Sequence, residues 1–204
     1  MGTSTFNGPV RSEGGFAEVS KNATTGVFTN KRTTTTTTDS LTAGTGITTG
    51  TGTLYYADTV KTEMANSTWF YTRIFMDITG LNCGGTAADI IGVNSTANCH
   101  IGQYTTAVMG TLYAGAITCL EAPTTGDPDI DVYSADEATG TEDAAISGLT
   151  NSTQLVNTGD LTLPSTDTFT AMPAADQYLY LVCGTATAGT YDAGQILLEL
   201  WGRS

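Results

Sequence analysis

The segment WFYTRIFMDI (69–78) has the clearest pattern in the chain, a strict alternation of two kinds of side chain. Successive residues of a strand point to opposite faces of a sheet, so this alternation predicts a β-strand with two different faces. One face is mostly apolar and is predicted to belong to a core: Phe70, Thr72, Ile74, Met76 and Ile78. The other is half aromatic, which predicts partial burial in an oligomer contact: Trp69, Tyr71, Arg73, Phe75 and Asp77.

Further strand-like segments follow at the spacing that is typical of a sandwich or jelly roll. Gly110 and Gly115 interrupt the apolar segment 103–122 and favour a bent strand there over a helix. The last two segments, QYLYLVCG (177–184) and GQILLELWG (194–202), share a glycine-containing connector, which predicts a terminal hairpin. Together with shorter candidates they give an all-β, antiparallel fold; these candidates lie at 88–93, 129–134, 153–157 and 166–172.

The first 53 residues are different in character. Two strand-like segments, 15–20 and 26–30, flank a turn, and KRTTTTTTDSLTAGTGITTGTGTLYY (31–56) follows. Its β-branched threonines favour an extended backbone, but no apolar residue alternates with them, so the run is predicted to be a linker or an arm. The sequence therefore predicts two parts: an N-terminal arm with a Thr/Gly-rich linker (1–53) and a β-sandwich or jelly-roll-like body (54–204).

Composition supports the all-β class and restricts the partners. The chain has 204 residues, of which 42 are threonine and 24 are glycine, and only 13% are charged. Its net charge is −13, and residues 74–202 contain no lysine or arginine, so binding to nucleic acid or to anionic lipid is not expected. No apolar segment is long enough to span a membrane, and residues 1–16 lack the pattern of a signal peptide, which predicts synthesis in a cytoplasm.

The residues that could carry catalysis are few. His100 is the one histidine and follows Cys99, but neighbours on a strand point to opposite faces, so a Cys–His nucleophile pair is not expected. The four cysteines (Cys83, Cys99, Cys119 and Cys183) contain no C-x-x-C pair or zinc-ligand spacing, and buried free thiols are predicted in preference to a disulfide framework. The sequence predicts no enzymatic activity, no cofactor and no metal site.

One acidic segment, GDPDIDVYSADEATGTED (126–143), leaves alternatives open. Asp127, Asp129 and Asp131 resemble the start of a calcium loop, but the sixth and twelfth positions of that loop are not the required Gly and Glu. The preferred interpretation places Asp129 and Asp131 on the solvated face of a strand. The alternatives are a calcium site of another type, which would use Asp127, Asp136 or Glu137, and a pair of catalytic carboxylates.

The beginning and the second half of the chain together resemble a known group of proteins. MGTSTFNGPVRSEGGF (1–16) and the passages GDPDIDVYSADEATGTEDAAIS and AADQYLYLVCGTATAGTYDAGQILLELWG are similar to the ends of small head-surface structural proteins of tailed phages that infect marine bacteria. The resemblance implies a capsid decoration (cement) protein of the virion surface. Its partner would be the major capsid protein, and it would stabilise the shell by bridging neighbouring subunits.

The resemblance and the composition together assign a role to the arm. In FNGPVRS (6–12), Phe6 would be an apolar anchor, Pro9 a rigid turn and Arg11 a cation for an acidic capsid surface. Self-association is also expected, as a trimer in preference to a dimer. The alternative function is a tail-fibre-associated or receptor-binding module that stacks exposed aromatic rings on host glycans, with Trp69, Tyr71 or Trp201 as candidates.

Overall fold

The computed structural model describes residues 16–26, 28–38, 41–64 and 66–204, and over these residues the fold is all-β, as predicted. The predicted capsid-contact residues Phe6, Pro9 and Arg11 lie outside the described residues. Two four-residue helices, α1 (Thr45–Thr48) and α2 (Thr106–Met109), and a short 3-10 helix (Ile146–Gly148) interrupt the strands. The strands are β1 (Phe16–Lys21), β2 (Phe28–Thr38), β3 (Leu54–Met64), β4 (Ser67–Asp77), β5 (Asn82–Cys83), β6 (His100–Gln103), β7 (Thr111–Thr124), β8 (Ile130–Ala135), β9 (Thr153–Val156), β10 (Ser165–Thr168), β11 (Tyr178–Cys183), β12 (Gly189–Thr190) and β13 (Ala193–Arg203).

Antiparallel sheets pack together around one hydrophobic core. The larger sheet has seven strands in the order β1-β2-β3-β4-β13-β7-β10, and the smaller has four in the order β6-β11-β8-β9. A two-stranded pair, β12-β5, lies beside them. Buried side chains from both sheets contribute to the core; Ile74, Met76 and Leu198 come from the larger sheet, and Val132 and Leu181 from the smaller.

Strand β4 confirms the alternation that the sequence shows. Phe70, Thr72, Ile74 and Met76 are buried on the core side, and the hydroxyl of Thr72 forms a 2.9 Å hydrogen bond with that of Thr59 on β3. This bond satisfies both buried hydroxyls, which would otherwise lower stability. The side chains between them face away from the core, where they are exposed or half-buried.

The predicted terminal hairpin is wrong. Strand β11 lies between β6 and β8 in the four-stranded sheet, whereas β13 lies between β4 and β7 in the seven-stranded sheet. Both strands are internal to their sheets, and internal strands carry long apolar runs whichever partners they take. Their similar composition therefore reports burial, and it does not identify the strand with which each one pairs.

The threonine run, for which an extended backbone and a role as a linker or an arm were predicted, forms a strand of the larger sheet. Residues 32–38 pair with β3 in an unbroken antiparallel register from Arg32↔Met64 to Thr38↔Asp58. The stiffness of threonine suits a strand, and the partner that orders the run is the edge of β3, whose paired residues lie 20 to 32 positions further along the chain. The seven-stranded sheet therefore extends across residue 53, where the sequence predicted the boundary between linker and body.

The predicted turn at Asn22–Gly26 is confirmed. The side-chain oxygen of Asn22 accepts hydrogen bonds from the backbone amides of Thr24 and Thr25, and Gly26 has a φ of +72°, which glycine adopts without strain. This turn connects β1 to β2, whose residues pair from Phe16↔Thr34 to Lys21↔Phe28 with one bulge after Glu18. Strand β1 is the edge of the larger sheet within the described residues.

Candidate functional site

The side of the seven-stranded sheet that faces away from the core is the largest candidate for a functional surface, and we call it the outer face. Strand register places its side chains in rows, because Tyr56 pairs with Phe75, which pairs with Leu197. In the next rows Asp58, Arg73 and Glu199 align, and then Val60, Tyr71 and Trp201. The outer face thus combines aromatic rows with one charged row.

Exposed hydrophobic side chains concentrate on this outer face. Of the eight large hydrophobic side chains that are exposed among the described residues, seven lie on it, and only Leu163 does not. Tyr56 is the most open, at 62% exposed. Single exposed apolar residues are common, but a contiguous patch marks an interaction site. The seven are Val19, Leu54, Tyr56, Met64, Trp69, Tyr113 and Leu120.

Aromatic contacts hold the side chains of the outer face in fixed positions. The rings of Tyr71 and Trp201 stack with centroids 5.8 Å apart, and those of Trp69 and Tyr113 meet edge to face at 5.9 Å. These are favourable geometries for aromatic pairs. Anchors that are already ordered lose little conformational entropy when a partner covers them.

A shallow depression of about 510 Å³ lies on the outer face. One side of it is charged, because the guanidinium of Arg73 binds the carboxylate of Asp58 through both Nε, at 2.9 Å from Oδ1, and Nη2. The rest is apolar or aromatic. Its lining residues are Tyr56, Ala57, Asp58, Arg73, Phe75, Leu120 and Leu197.

Each charged residue of the row that contains Asp58, Arg73 and Glu199 has a partner on the outer face. The hydroxyl of Tyr71 donates a hydrogen bond to Glu199, and the guanidinium carbon of Arg73 lies 5.7 Å from the centre of the Tyr71 ring. Partial burial and then the hydrogen bond to Glu199 raise the pKa of Tyr71 to about 12. The row can therefore be covered by a partner without leaving an unpaired charge.

Cys99 and His100 do not form a nucleophile pair, as expected. The Cys99 thiol is buried and donates to the backbone carbonyl of Thr96 at 3.1 Å, and burial raises its pKa to about 12. The His100 ring instead packs against Tyr178, with centroids 4.9 Å apart, and its Nδ1 is buried without a hydrogen-bond partner. Burial lowers the pKa of His100. Neither group is prepared for nucleophilic chemistry.

The prediction of free thiols is wrong for two of the four cysteines. Cys83 and Cys183 form a disulfide across a sequence separation of 100 residues, whereas Cys99 and Cys119 are buried free thiols. Cys183 is the last residue of β11, and Cys83 belongs to β5. The spacing of cysteines along the sequence cannot reveal a contact between such distant segments. A carboxylate oxygen of Asp127 lies within 4.8 Å of both sulfurs.

The three aspartates that begin the acidic segment are buried, which contradicts the predicted solvated face. Their exposed fractions are 0% for Asp127, 9% for Asp129 and 3% for Asp131. Residues on both faces of β8 are buried, with only Tyr133 partly exposed, and the Asp131 carboxylate accepts hydrogen bonds from Gln154 and Thr158. Burial, and then the charges of Asp131 and Asp127, raise the pKa of Asp129 to about 6.

The alternative calcium site, which would use Asp127, Asp136 or Glu137, cannot combine Asp127 with the other two residues. Asp127 precedes β8, whereas Asp136 and Glu137 follow it, so they lie at opposite ends of a six-residue strand. Asp136 accepts hydrogen bonds from Asn151 and Gln177, and Glu137 accepts from Thr150, which lowers the pKa of each carboxyl. These two residues fix a loop.

Comparisons with known protein families, curated proteins and solved structures give no match. No helix among the described residues is long and apolar enough to cross a membrane. The alternation of 69–78 identified the outer-face residues of β4, but Tyr56, Tyr113 and Leu120 were not predicted. The same period-two pattern in LYYADTV (54–60) gives Leu54 and Tyr56 one face, which is the signal that could have found them.

Proposed function

We propose that the protein is a virion structural protein that decorates a phage capsid and stabilises it by bridging neighbouring major capsid subunits. The observation that carries this proposal is the outer face, a rigid apolar surface that folding alone leaves uncovered. A bridging protein needs buried area and not chemistry. Aromatic side chains that are fixed before binding are the residues that dominate the energetics of such interfaces.

The N-terminal arm supplies a second contact in this proposal. Phe6, Pro9 and Arg11 precede β1, which is the edge of the larger sheet within the described residues. An edge strand presents backbone groups that a neighbouring chain can pair with, and an arm beside it can reach across a seam between subunits. Self-association, as a trimer in preference to a dimer, would multiply these contacts at each site.

The proposed location is the capsid surface of the virion, after synthesis in the host cytoplasm. A disulfide such as Cys83–Cys183 is typical of proteins that are exposed to an oxidising environment, which includes virion surfaces. The acidic body, which has no lysine or arginine between residues 74 and 202, supports partners other than nucleic acid or anionic lipid. No enzymatic activity or cofactor is part of the proposal.

The test is binding of the purified chain to capsids that lack it. We expect saturable binding at a fixed ratio to the major capsid protein and a higher melting temperature of the decorated shell. Deletion of residues 1–12 should leave the body folded and weaken binding by two or more orders of magnitude. Burial of Phe6 contributes about 2 kcal/mol and a charge-assisted hydrogen bond from Arg11 roughly 1.5–3 kcal/mol. Absence of saturable binding by the intact chain would contradict the proposal.

A second candidate function, recognition of a host glycan by a tail-fibre-associated module, is favoured by the depression on the outer face. Tyr56 and Phe75 present rings on which a sugar can stack, and Asp58 and Arg73 provide hydrogen-bonding groups beside them. Copy number separates the two functions. A number in the virion comparable with that of the major capsid protein supports decoration, whereas a few copies together with glycan binding that Asp58→Asn abolishes supports the second candidate.

A further inference from the structure

Two sulfurs and one carboxylate meet in the interior of the protein. The sulfurs of Cys83 and Cys183 and a carboxylate oxygen of Asp127 lie within 4.8 Å of one another, and all three residues are fully buried. Within the described part of the chain, no other group of three histidine, cysteine or carboxylate side chains converges in this way. We call these three residues the cysteine–aspartate site. They belong to β5, to the end of β11 and to the loop before β8, so the site connects three distant segments.

Hydrogen bonds fix the Asp127 carboxylate beside the sulfurs without using all of its capacity. Its Oδ1 accepts from the backbone amide of Asp129 at 3.1 Å and from the Thr185 hydroxyl at 2.7 Å. Its Oδ2 accepts from the Thr185 amide at 2.7 Å. A carboxylate offers about four acceptor positions, so these bonds leave one for an ion. Because Thr185 follows Cys183 by two residues, the turn that carries this sulfur also holds the carboxylate in place.

The surroundings of the site are negative. Each of the two cysteines is followed by a glycine whose backbone lies against a further carboxylate. A Cβ atom on Gly184 would lie 2.2 Å from Oδ1 of Asp129, and one on Gly84 would lie 1.7 Å from Oδ1 of Asp143. Residues 74–202 contain no lysine or arginine that could neutralise these charges. A buried carboxylate is stabilised by a counter-charge, so the site favours a cation.

The ligand types select the ion. Thiolate sulfur and carboxylate oxygen both bind zinc, and two thiolates with one carboxylate supply three of its four tetrahedral positions, which leaves the fourth for water. Calcium and magnesium prefer sites made of oxygen alone. While the sulfurs are bonded to each other they are not available as thiolates. Reduction of the disulfide frees them to rotate apart, to roughly the 3.8 Å that separates two thiolates on one zinc ion.

We propose that the cysteine–aspartate site binds one zinc ion in the reduced chain, and that oxidation to the Cys83–Cys183 disulfide releases the ion. Zinc would join β5 to β11 while the chain is in a reducing compartment, and the disulfide would join the same two strands after exposure to an oxidising one. The connection between these segments is then kept in both redox states.

The exchange balances when a small disulfide such as oxidised glutathione is the oxidant. The two cysteine thiolates lose two electrons and form the S–S bond of the protein. The S–S bond of the oxidant breaks, and its two sulfurs take up these electrons and two protons to give two thiols. Zinc leaves as Zn²⁺ because its two sulfur ligands are lost.

The test uses the full chain, kept reduced with a phosphine under nitrogen and freed of metal with EDTA, which is then removed by dialysis. Isothermal titration calorimetry with zinc chloride should show one ion per chain. Cobalt(II), used as a probe, should give thiolate-to-metal charge-transfer absorption, which requires sulfur ligands. At a zinc concentration one hundred times the Kd, the Tm of the reduced chain should rise by about 5–10 °C, because an ion that binds only the folded state stabilises it by mass action. The oxidised chain should show none of these responses.

Three variants assign the ligands. Asp127→Asn keeps both cysteines and should lower the zinc affinity by about 100-fold or more, since even residues that only orient a ligand contribute about 10–100-fold. Cys183→Ser should abolish zinc binding and the cobalt absorption. Cys119→Ala removes a buried thiol outside the site and should bind zinc as the wild type does.

One further measurement needs no variant. Oxidised glutathione added to the zinc-loaded wild type should release one zinc ion for each disulfide formed, as measured with a chromogenic chelator. A reduced chain that binds no zinc at micromolar concentrations would overturn the site, and so would equal binding by the reduced and oxidised chains. An unchanged affinity in folded Asp127→Asn would also overturn it. None of these outcomes depends on capsid binding.

Discussion

The outer face of the seven-stranded sheet and the buried aspartates beside β8 depart from the usual distribution of polarity in opposite ways. On the outer face, large hydrophobic side chains such as Tyr56 and Trp69 are exposed, whereas beside β8 Asp129 and Asp131 are buried. Soluble proteins normally bury the first kind of residue and expose the second. Exposed apolar area and buried carboxylates both lower the stability of the isolated chain.

The two regions differ in how completely their own side chains satisfy one another. On the outer face every member of the charged row has a partner, so that face needs only to be covered. Beside β8, the Oδ1 atom of Asp129 is buried and has no hydrogen-bond partner. The comparison teaches that the charged row of the outer face is satisfied within the chain, whereas the buried aspartates are incompletely satisfied.

The largest effect is expected from removal of the disulfide that joins β5 to the end of β11. A double substitution Cys83→Ser and Cys183→Ser opens a 100-residue loop and should lower the free energy of unfolding by about 4–5 kcal/mol. For a chain of this length the Tm should fall by about 9–18 °C. Cys119→Ala, which removes an unbonded thiol, is the control and should cost much less. Comparable losses in both variants would show that the disulfide contributes little.

Two adjacent residues of β4 compare the two sides of the larger sheet directly. Ile74 is buried in the core, and Ile74→Ala should lower the free energy of unfolding by about 2–5 kcal/mol. Phe75 lies on the outer face, and Phe75→Ala should cost about 1 kcal/mol or less while it weakens capsid binding or self-association. Urea unfolding gives the first quantity and sedimentation the second. A large stability loss in Phe75→Ala would show that the outer face is part of the folding core.

A pH response is expected from His100 on the four-stranded sheet. Burial lowers its pKa in the folded state below the value of about 6.5 in the unfolded chain, so the unfolded state takes up the proton first as the pH falls. Stability from this group is therefore complete above pH of about 6.5 and is lost below it. His100→Phe keeps the ring contact with Tyr178 and should remove part of the acid sensitivity of the Tm. An unchanged profile would show that His100 is not desolvated.

The smallest effect is expected from the ion pair of the outer face. Asp58 and Arg73 form a two-point contact, but the Arg73 side chain is 46% exposed. A double-mutant cycle with Asp58→Asn and Arg73→Gln should give a coupling of about 0.2–1 kcal/mol in the isolated chain, and less in high salt. A coupling of several kcal/mol would mean that the row is more deeply buried than its exposure indicates.

The sequence predicted those features of the fold that depend on residues close together in the chain. The period-two alternation of β4 identified its buried and outer sides, and the turn at Asn22 follows from side-chain hydrogen bonding within four residues. The failures all depend on contacts between distant segments. The threonine run pairs with β3. Strands β11 and β13 take their partners in different sheets, and Cys183 forms a disulfide with Cys83.

The candidate sites were less predictable for the same reason. Asp129 and Asp131 alternate with Ile130 and Val132 as they would on a solvent-exposed face, but both faces of β8 are buried, and residues such as Gln154 and Thr158, more than 20 positions away, contact Asp131. The outer face extends over β3, β4, β7 and β13, so the pattern of one strand revealed only the residues that this strand contributes. The role of Phe6, Pro9 and Arg11 stays a prediction.

The most direct test of the central claim, that the outer face is the contact surface, is the Kd for capsids of a double variant, Tyr56→Ser with Trp69→Ser. The matched control is Leu163→Ser, which removes an exposed hydrophobic side chain that is not on this face. Aromatic anchors at the centre of an interface contribute about 2 kcal/mol or more each, so the Kd should rise by about two to three orders of magnitude. The control should bind as the wild type does. An unchanged Kd in the folded double variant would contradict the claim.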